Sequence, residues 1–199
     1  ASGGALEVFE HISAVEDIVV LEDGTFLIAG WEFKDDEVMG AIMKFYADGS
    51  VFEDFGENGY VHLDYSDEGI TIDFQKIAIT NENIILVSGR LTSDNEQVVV
   101  ASYFENGNKN DEFGSNGVAF YGAPEDDDYL GSMILDDEER IVLSSGFILP
   151  GSDDVQLKIF RLLANGAIDY SFNDGSLIVD LGSEAGEYLS SAVRQADGR

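Results

Sequence analysis

The sequence predicts an all-β chain in which one four-stranded antiparallel sheet is written several times over. Three observations carry that expectation. Landmarks recur at a near-constant period: Phe55, Phe113 and Phe172 stand 58 and 59 residues apart, and Gly49, Gly107 and Gly166 show the same spacings. The runs between landmarks are short, rich in Val, Ile and Phe, and bounded by Asp-Gly, Asn-Gly and Ser-Gly, which is the chemistry of strands and turns. No segment sustains helical periodicity, and proline occurs only at Pro124 and Pro150.

The first copy reads as four strands, at 17–21, 25–30, 39–46 and 60–65. Asp23-Gly24 separates the first two, where a tight hairpin needs a positive φ. Asp48-Gly49 closes the third. Phe55 falls in the long connection before the fourth and is expected to plug beneath its own sheet. The second copy aligns TNENIILVSG with LEDGTFLIAG, and the third aligns DDEERIVLSSG, so that Gly30, Gly89 and Gly146 correspond. Asp197-Gly198 matches Asp23-Gly24 at three periods, which marks the opening of a fourth copy. The resulting division is a lead-in at 1–14, blades at 15–72, 73–128 and 129–187, and the start of a further blade at 188–199.

Four strands in about 58 residues is the arithmetic of a β-propeller blade. Solenoid coils are shorter, at roughly 20 to 47 residues. Propellers close with about four to eight blades. The chain is therefore expected to be a partial ring, one part of a longer polypeptide or completed by a second copy, because open sheet edges are templates for pairing.

The landmarks resemble the bacterial delta-60 repeat. The matching pieces are DGTFLIAG, AIMKFYADGSVFEDFGENGYV, VVVASYFENGNKNDEFGSNGVAF and LKIFRLLANGAIDYSFNDGSLIV. Glu82-Asn83 replaces Asp-Gly in the second copy, and Phe172-Asn173 replaces Phe-Gly in the third. The resemblance implies a propeller-forming unit of an extracellular or bacterial cell-surface protein. It implies no catalytic residues.

Composition narrows the partners. The formal net charge is -30, from 40 acidic and 10 basic side chains. Such a field repels nucleic acid and anionic lipid, since phosphate affinity rests on Lys and Arg. Cations and basic proteins remain compatible with it. There is no cysteine, which removes disulfides, thiol nucleophiles and Cys-based zinc sites. No apolar run reaches the length of a membrane helix, so membrane insertion is not expected. No secretory leader is visible, and a processed N-terminus would read the same way.

Candidate chemistry is sparse. His62 aligns with Phe120 and Val179 on a strand and reads as a tolerated strand residue; His11 precedes the first copy. Nucleophile-elbow, zincin, P-loop and dinucleotide motifs are missing. Acidic clusters recur at Asp35-Asp36-Glu37, Asp94-Asn95-Glu96 and Asp153-Asp154. A second series recurs at Asp64, Asp67 and Glu68, then 125–128, then Glu184 and Glu187. Both loop classes are expected to emerge at one end of the sheets. Glu125, Asp126, Asp127 and Asp128 form the calcium candidate, because adjacent like charges repel unless solvated or neutralised; a solvated loop is the simpler reading. The functional expectation is a non-catalytic interaction scaffold with a protein or glycan partner, in adhesion or surface assembly. The alternatives are a carbohydrate-active enzyme with an axial carboxylate pair and aromatics such as Trp31, and a structural spacer.

Overall fold

A computed structural model describes residues 12–65, 69–92, 96–122, 127–148, 155–179 and 191–195. Among these residues twelve strands form three sheets. Sheet 1 contains β1 (Ala14–Val20), β2 (Phe26–Lys34), β3 (Glu37–Phe45) and β4 (Tyr60–Leu63). Sheet 2 contains β5 (Thr71–Ile79), β6 (Ile85–Thr92), β7 (Glu96–Tyr103) and β8 (Val118–Tyr121). Sheet 3 contains β9 (Asp127–Leu135), β10 (Ile141–Ile148), β11 (Val155–Leu162) and β12 (Ser176–Val179). Each sheet is an antiparallel meander in chain order.

The three sheets superpose in pairing register. Val20 pairs with Phe26, Ile79 with Ile85 and Leu135 with Ile141, so each first hairpin has a five-residue connection. Gly24 adopts φ 84, and its counterparts Asn83 and Glu139 hold φ 59 and 61. The predicted positive φ is thus met in every copy, although only the first supplies glycine. The first strand of each sheet bulges at the same place, at Glu16, Gln75 and Gly131. The bulge crowds the strand opposite: a Cβ on Gly30 would lie 1.9 Å from the Ala14 carbonyl oxygen, and one on Gly89 1.8 Å from that of Asp73. In sheet 3 the residue at this register is Ser145, not Gly146. There the bulge itself carries the glycine, Gly131.

Alternation along the strands gives every sheet two apolar faces. The forward face of sheet 1 (Leu27, Ala29, Ile42, Leu63) packs with Phe74, Ile77, Ile85 and Val87 of sheet 2 in one core. The forward face of sheet 2 (Leu86, Val98, Val100, Tyr121) packs with Met133, Ile141 and Leu143 of sheet 3 in a second. Burial on both faces explains why β2, β3, β6 and β7 read as near-continuous apolar runs.

The recurring phenylalanine works at the joint between copies. Phe55 and Phe113 are fully buried. Just after each, the chain bonds to the next copy: the Gly56 N–H donates to the Asn106 carbonyl at 2.8 Å, and the Gly114 N–H to the Asn165 carbonyl at 2.9 Å. Gly107 lies so close that an added Cβ would sit 2.7 Å from the Gly56 nitrogen; on Gly166 it would sit 2.9 Å from the Phe113 ring. The plug therefore lies between its own sheet and the next, rather than under its own sheet alone. Phe172 is half-buried and carries the Arg161 guanidinium at 5.1 Å from its ring centre. The third loop is one residue shorter, with a 3-10 turn at Asn173–Gly175. That deletion shifts the alignment downstream, so that Ile178, not Val179, is the counterpart of His62 and Phe120.

Candidate functional site

Antiparallel order places the β1–β2, β5–β6 and β9–β10 turns at one end of the sheets, beside the Phe loops. A groove of about 680 Å³ opens there between sheets 2 and 3. Its floor includes Ile84, Leu86 and Ile141, its rim carries Glu82, Glu112, Glu138 and Glu139, and Phe104 stands in the wall, 44% exposed. A second groove, of about 510 Å³ and with a more polar lining, opens at the same end between sheets 1 and 2, beside Val19, Leu21 and Ile79, with Glu22, Asp23 and Glu105 at its rim.

The two grooves share the turn that contains Asn81. Asn81 donates its backbone N–H and its side-chain amide to the Glu139 carboxylate, at 2.7 and 2.9 Å. This bond crosses between copies and fixes the groove wall. Glu138 pairs with Arg140 at 2.9 Å, and Glu105 lies 3.9 Å from Lys44. The Thr25 hydroxyl, followed by its backbone N–H, holds the Asp23 carboxyl below its usual value. Glu82 and Glu112 are exposed and make no hydrogen bond or ion pair among the described residues. An apolar floor under a carboxylate rim suits a cation on an alkyl stem: the methylenes cover the floor while the charge meets the rim.

The opposite end carries a slot of about 280 Å³ between sheets 1 and 2, lined by Trp31, Val38, Thr71, Asp73, Arg90 and Thr92. Arg90 bonds Asp73 at 3.1 Å and Glu96 at 3.4 Å. Burial pushes the Asp73 carboxyl above its usual value, against the pull of Arg90.

The residues singled out from sequence are distributed as follows. Glu125 and Asp126 lie outside the described residues, while Asp127 and Asp128 open β9, backbone-paired with Ile148 and Phe147. Among the described residues no group of three or more His, Asp or Glu is placed to hold a metal ion. Asp35 and Asp36, at φ 54 and 67, make the two-residue turn between β2 and β3. Asp67, Glu68, Asp94, Asn95, Asp153, Asp154, Glu184, Glu187 and His11 lie outside the described residues. His62 does more than occupy a strand: its Nε2 is 2.8 Å from Oε2 of the buried Glu32, and its ring packs 4.9 Å from that of Tyr60. The sequence signal for this pair was a lone glutamate inside the apolar run of β2. The groove carboxylates were missed too, although acidic residues recur in all three first-hairpin turns, at Glu22-Asp23, Glu82 and Glu138-Glu139.

Among the described residues no helix is long and apolar enough to cross a membrane. No protein-family model matches the chain, and no curated protein matches it.

Proposed function

We propose that the chain is a non-catalytic interaction module, built as consecutive blades of a β-propeller of the delta-60 repeat type and belonging to a bacterial secreted or cell-surface protein. It presents acidic inter-sheet grooves to a basic protein partner. The observation that carries this reading is the recurrence of the groove: both sheet junctions have one at the same end with carboxylates at the rim, over an apolar floor between sheets 2 and 3 and a more polar one between sheets 1 and 2. A rigid repeated scaffold with variable rims is a common division of labour between stability and binding. At a net charge of -30 the field around the grooves steers cationic partners inward.

The test is a titration of oligolysine and lysine-containing apolar peptides by calorimetry, at low and physiological salt. Binding is expected to weaken with salt, and to fall about fivefold or more in Glu82→Gln/Glu112→Gln, the loss expected for about 1 kcal/mol. Affinity unchanged in that variant overturns the groove as the site.

A second reading, a carbohydrate-active enzyme, draws on one observation. Trp31 shares a slot with Asp73, whose carboxyl burial pushes up, as a general acid requires. Turnover of a chromogenic glycoside by the native chain, lost in Asp73→Asn, would replace the scaffold reading.

A further inference from the structure

The forward faces of the three sheets are not equally covered. In sheet 1, Leu27, Ala29, Ile42 and Leu63 are at most 2% exposed, and in sheet 2, Leu86, Val98, Val100 and Tyr121 are at most 8% exposed. In sheet 3 the counterparts of the sheet 2 positions are Val142, Leu157, Ile159 and Val179, all half-buried, flanked by Leu177 at 39%, while Ser144, the counterpart of Ala29, is buried. Phe172, the joint residue of this copy, is half-buried as well. Around Ser144, sheet 3 thus leaves half-covered the apolar positions that its predecessors bury.

Residues 191–195 indicate what belongs there. The Ala192 N–H donates to the Ser132 hydroxyl at 3.0 Å across 60 residues. At the junction of sheets 1 and 2, the Ile77 N–H donates to the Asp17 carboxylate at 3.0 Å, also across 60 residues. Asp17 and Ser132 occupy the same register position, three residues before the end of the first hairpin strand. Ala192 therefore meets sheet 3 as Ile77 of β5, the first strand of sheet 2, meets sheet 1. Arg194 extends the contact, with Asp137 at 3.1 Å and the Leu135 carbonyl at 3.5 Å.

We infer that the forward face of sheet 3 is a docking surface for a fourth sheet of the same repeat, with residues 191–195 in its first strand. The argument is continuity: both established sheet junctions use this face, and Ala192 already makes against sheet 3 the bond that Ile77 makes against sheet 1. The inference rests on the stacked-scaffold reading, but the two fail separately, because peptide binding at the grooves does not enter the measurement below.

The experiment compares the 199-residue chain with two extensions. Because Asp197-Gly198 corresponds to Asp23-Gly24, one extension appends residues 26–72 after Arg199, and the other appends residues 85–130. Amide hydrogen exchange is followed in β11, β12 and the appended strands. The expected result is at least tenfold slower exchange in β11 and β12 in one or both extensions, abolished by Ile159→Asp. Unchanged exchange in β11 and β12 in both extensions overturns the inference. So does protection that rises with concentration in the unextended chain, which would make the face a self-association surface.

Discussion

Replacing Tyr103 by phenylalanine should stabilise this protein, and replacing Tyr121 should do the reverse. Tyr103 ends β7, is fully buried, and its hydroxyl has no hydrogen-bond partner among the described residues. The equivalent positions are Phe45 in sheet 1 and Leu162 in sheet 3, so the repeat does not require a polar atom there. A buried unpartnered hydroxyl costs about 1–3 kcal/mol. Removing the oxygen leaves a void on the order of 10 Å³, worth about 0.2 kcal/mol at ~24 cal/mol per Å³. The net gain is about 1–3 kcal/mol, and a chain of this size gains about 2–4 °C in Tm per kcal/mol. The Tyr121 hydroxyl instead donates to the Gly166 carbonyl across the junction of sheets 2 and 3. Tyr121→Phe strands that carbonyl and should cost about 1–2 kcal/mol. Burial pushes both phenols well above their ordinary value, so the two differences should be the same at pH 6 and pH 9. Scanning calorimetry with urea unfolding reads both. A lower Tm for Tyr103→Phe would refute the reasoning, because the hydroxyl would then have a partner that stabilises it.

Three further outcomes follow from the joints and the charges. Gly107→Ala and Gly166→Ala combine a positive φ, about 1–2 kcal/mol of strain, with clashes against Gly56 and the Phe113 ring; each should cost about 2–4 kcal/mol in urea unfolding. Gly69→Ala, at φ 71 with nothing within 4 Å of the added Cβ, should lose only the strain. Phe55→Ala and Phe113→Ala should cost about 3–5 kcal/mol and half-buried Phe172→Ala about half as much, measured by the same melts. Asp169 is held below its usual value by the Ser171 hydroxyl first, then by the Ser171 N–H and Arg161, against the opposing push of burial. Burial pushes Asp136 up, but hydrogen bonds from Arg140 and Glu138 outweigh it. A depressed carboxyl stabilises in full above its unfolded value of 3.8 and loses that contribution as pH falls through the folded value. Asp136→Asn and Asp169→Asn should therefore lower Tm at pH 7, with the deficit shrinking as pH falls below 3.8 and through the folded values; a Tm deficit that is constant with pH would contradict the assignment.

The strands were legible because their pattern is local. An Asp-Gly between two apolar runs announces a hairpin, and Gly24 at φ 84 sits where that chemistry puts it. The Phe loops were legible as repeats but not as joints, since the contact of Gly56 with Asn106 spans 50 residues and appears only once the sheets are stacked. The one-residue offset at Gly146 lies at the bulge. Opposite the bulge the third copy has Ser145 where the others have Gly30 and Gly89, with Gly146 one residue further on and Gly131 in the bulge itself. Glu32 and His62 come from different strands of one sheet, so neither residue announced the other. The acidic loops drew attention by their density, whereas the grooves are formed by turns in which each copy supplies only one or two carboxylates.

The groove carboxylates separate a binding role from a structural one, because the two roles predict opposite signs. A chain with a net charge of -30 repels itself, and Glu82 and Glu112 add to that repulsion with no ion pair among the described residues to offset it. Carboxylates retained for folding would be paired, as Asp136 and Asp169 are with Arg140 and Arg161. Glu82→Gln/Glu112→Gln should thus leave Tm unchanged or slightly higher while weakening basic peptides. Those peptides should raise the Tm of the parent in proportion to their affinity, since a ligand that binds only the folded state stabilises it by mass action. Higher salt should raise Tm and weaken binding together, because screening acts on both. A Tm that falls in the double Gln variant would assign these carboxylates to the fold, and the grooves would lose the chemistry that recommends them.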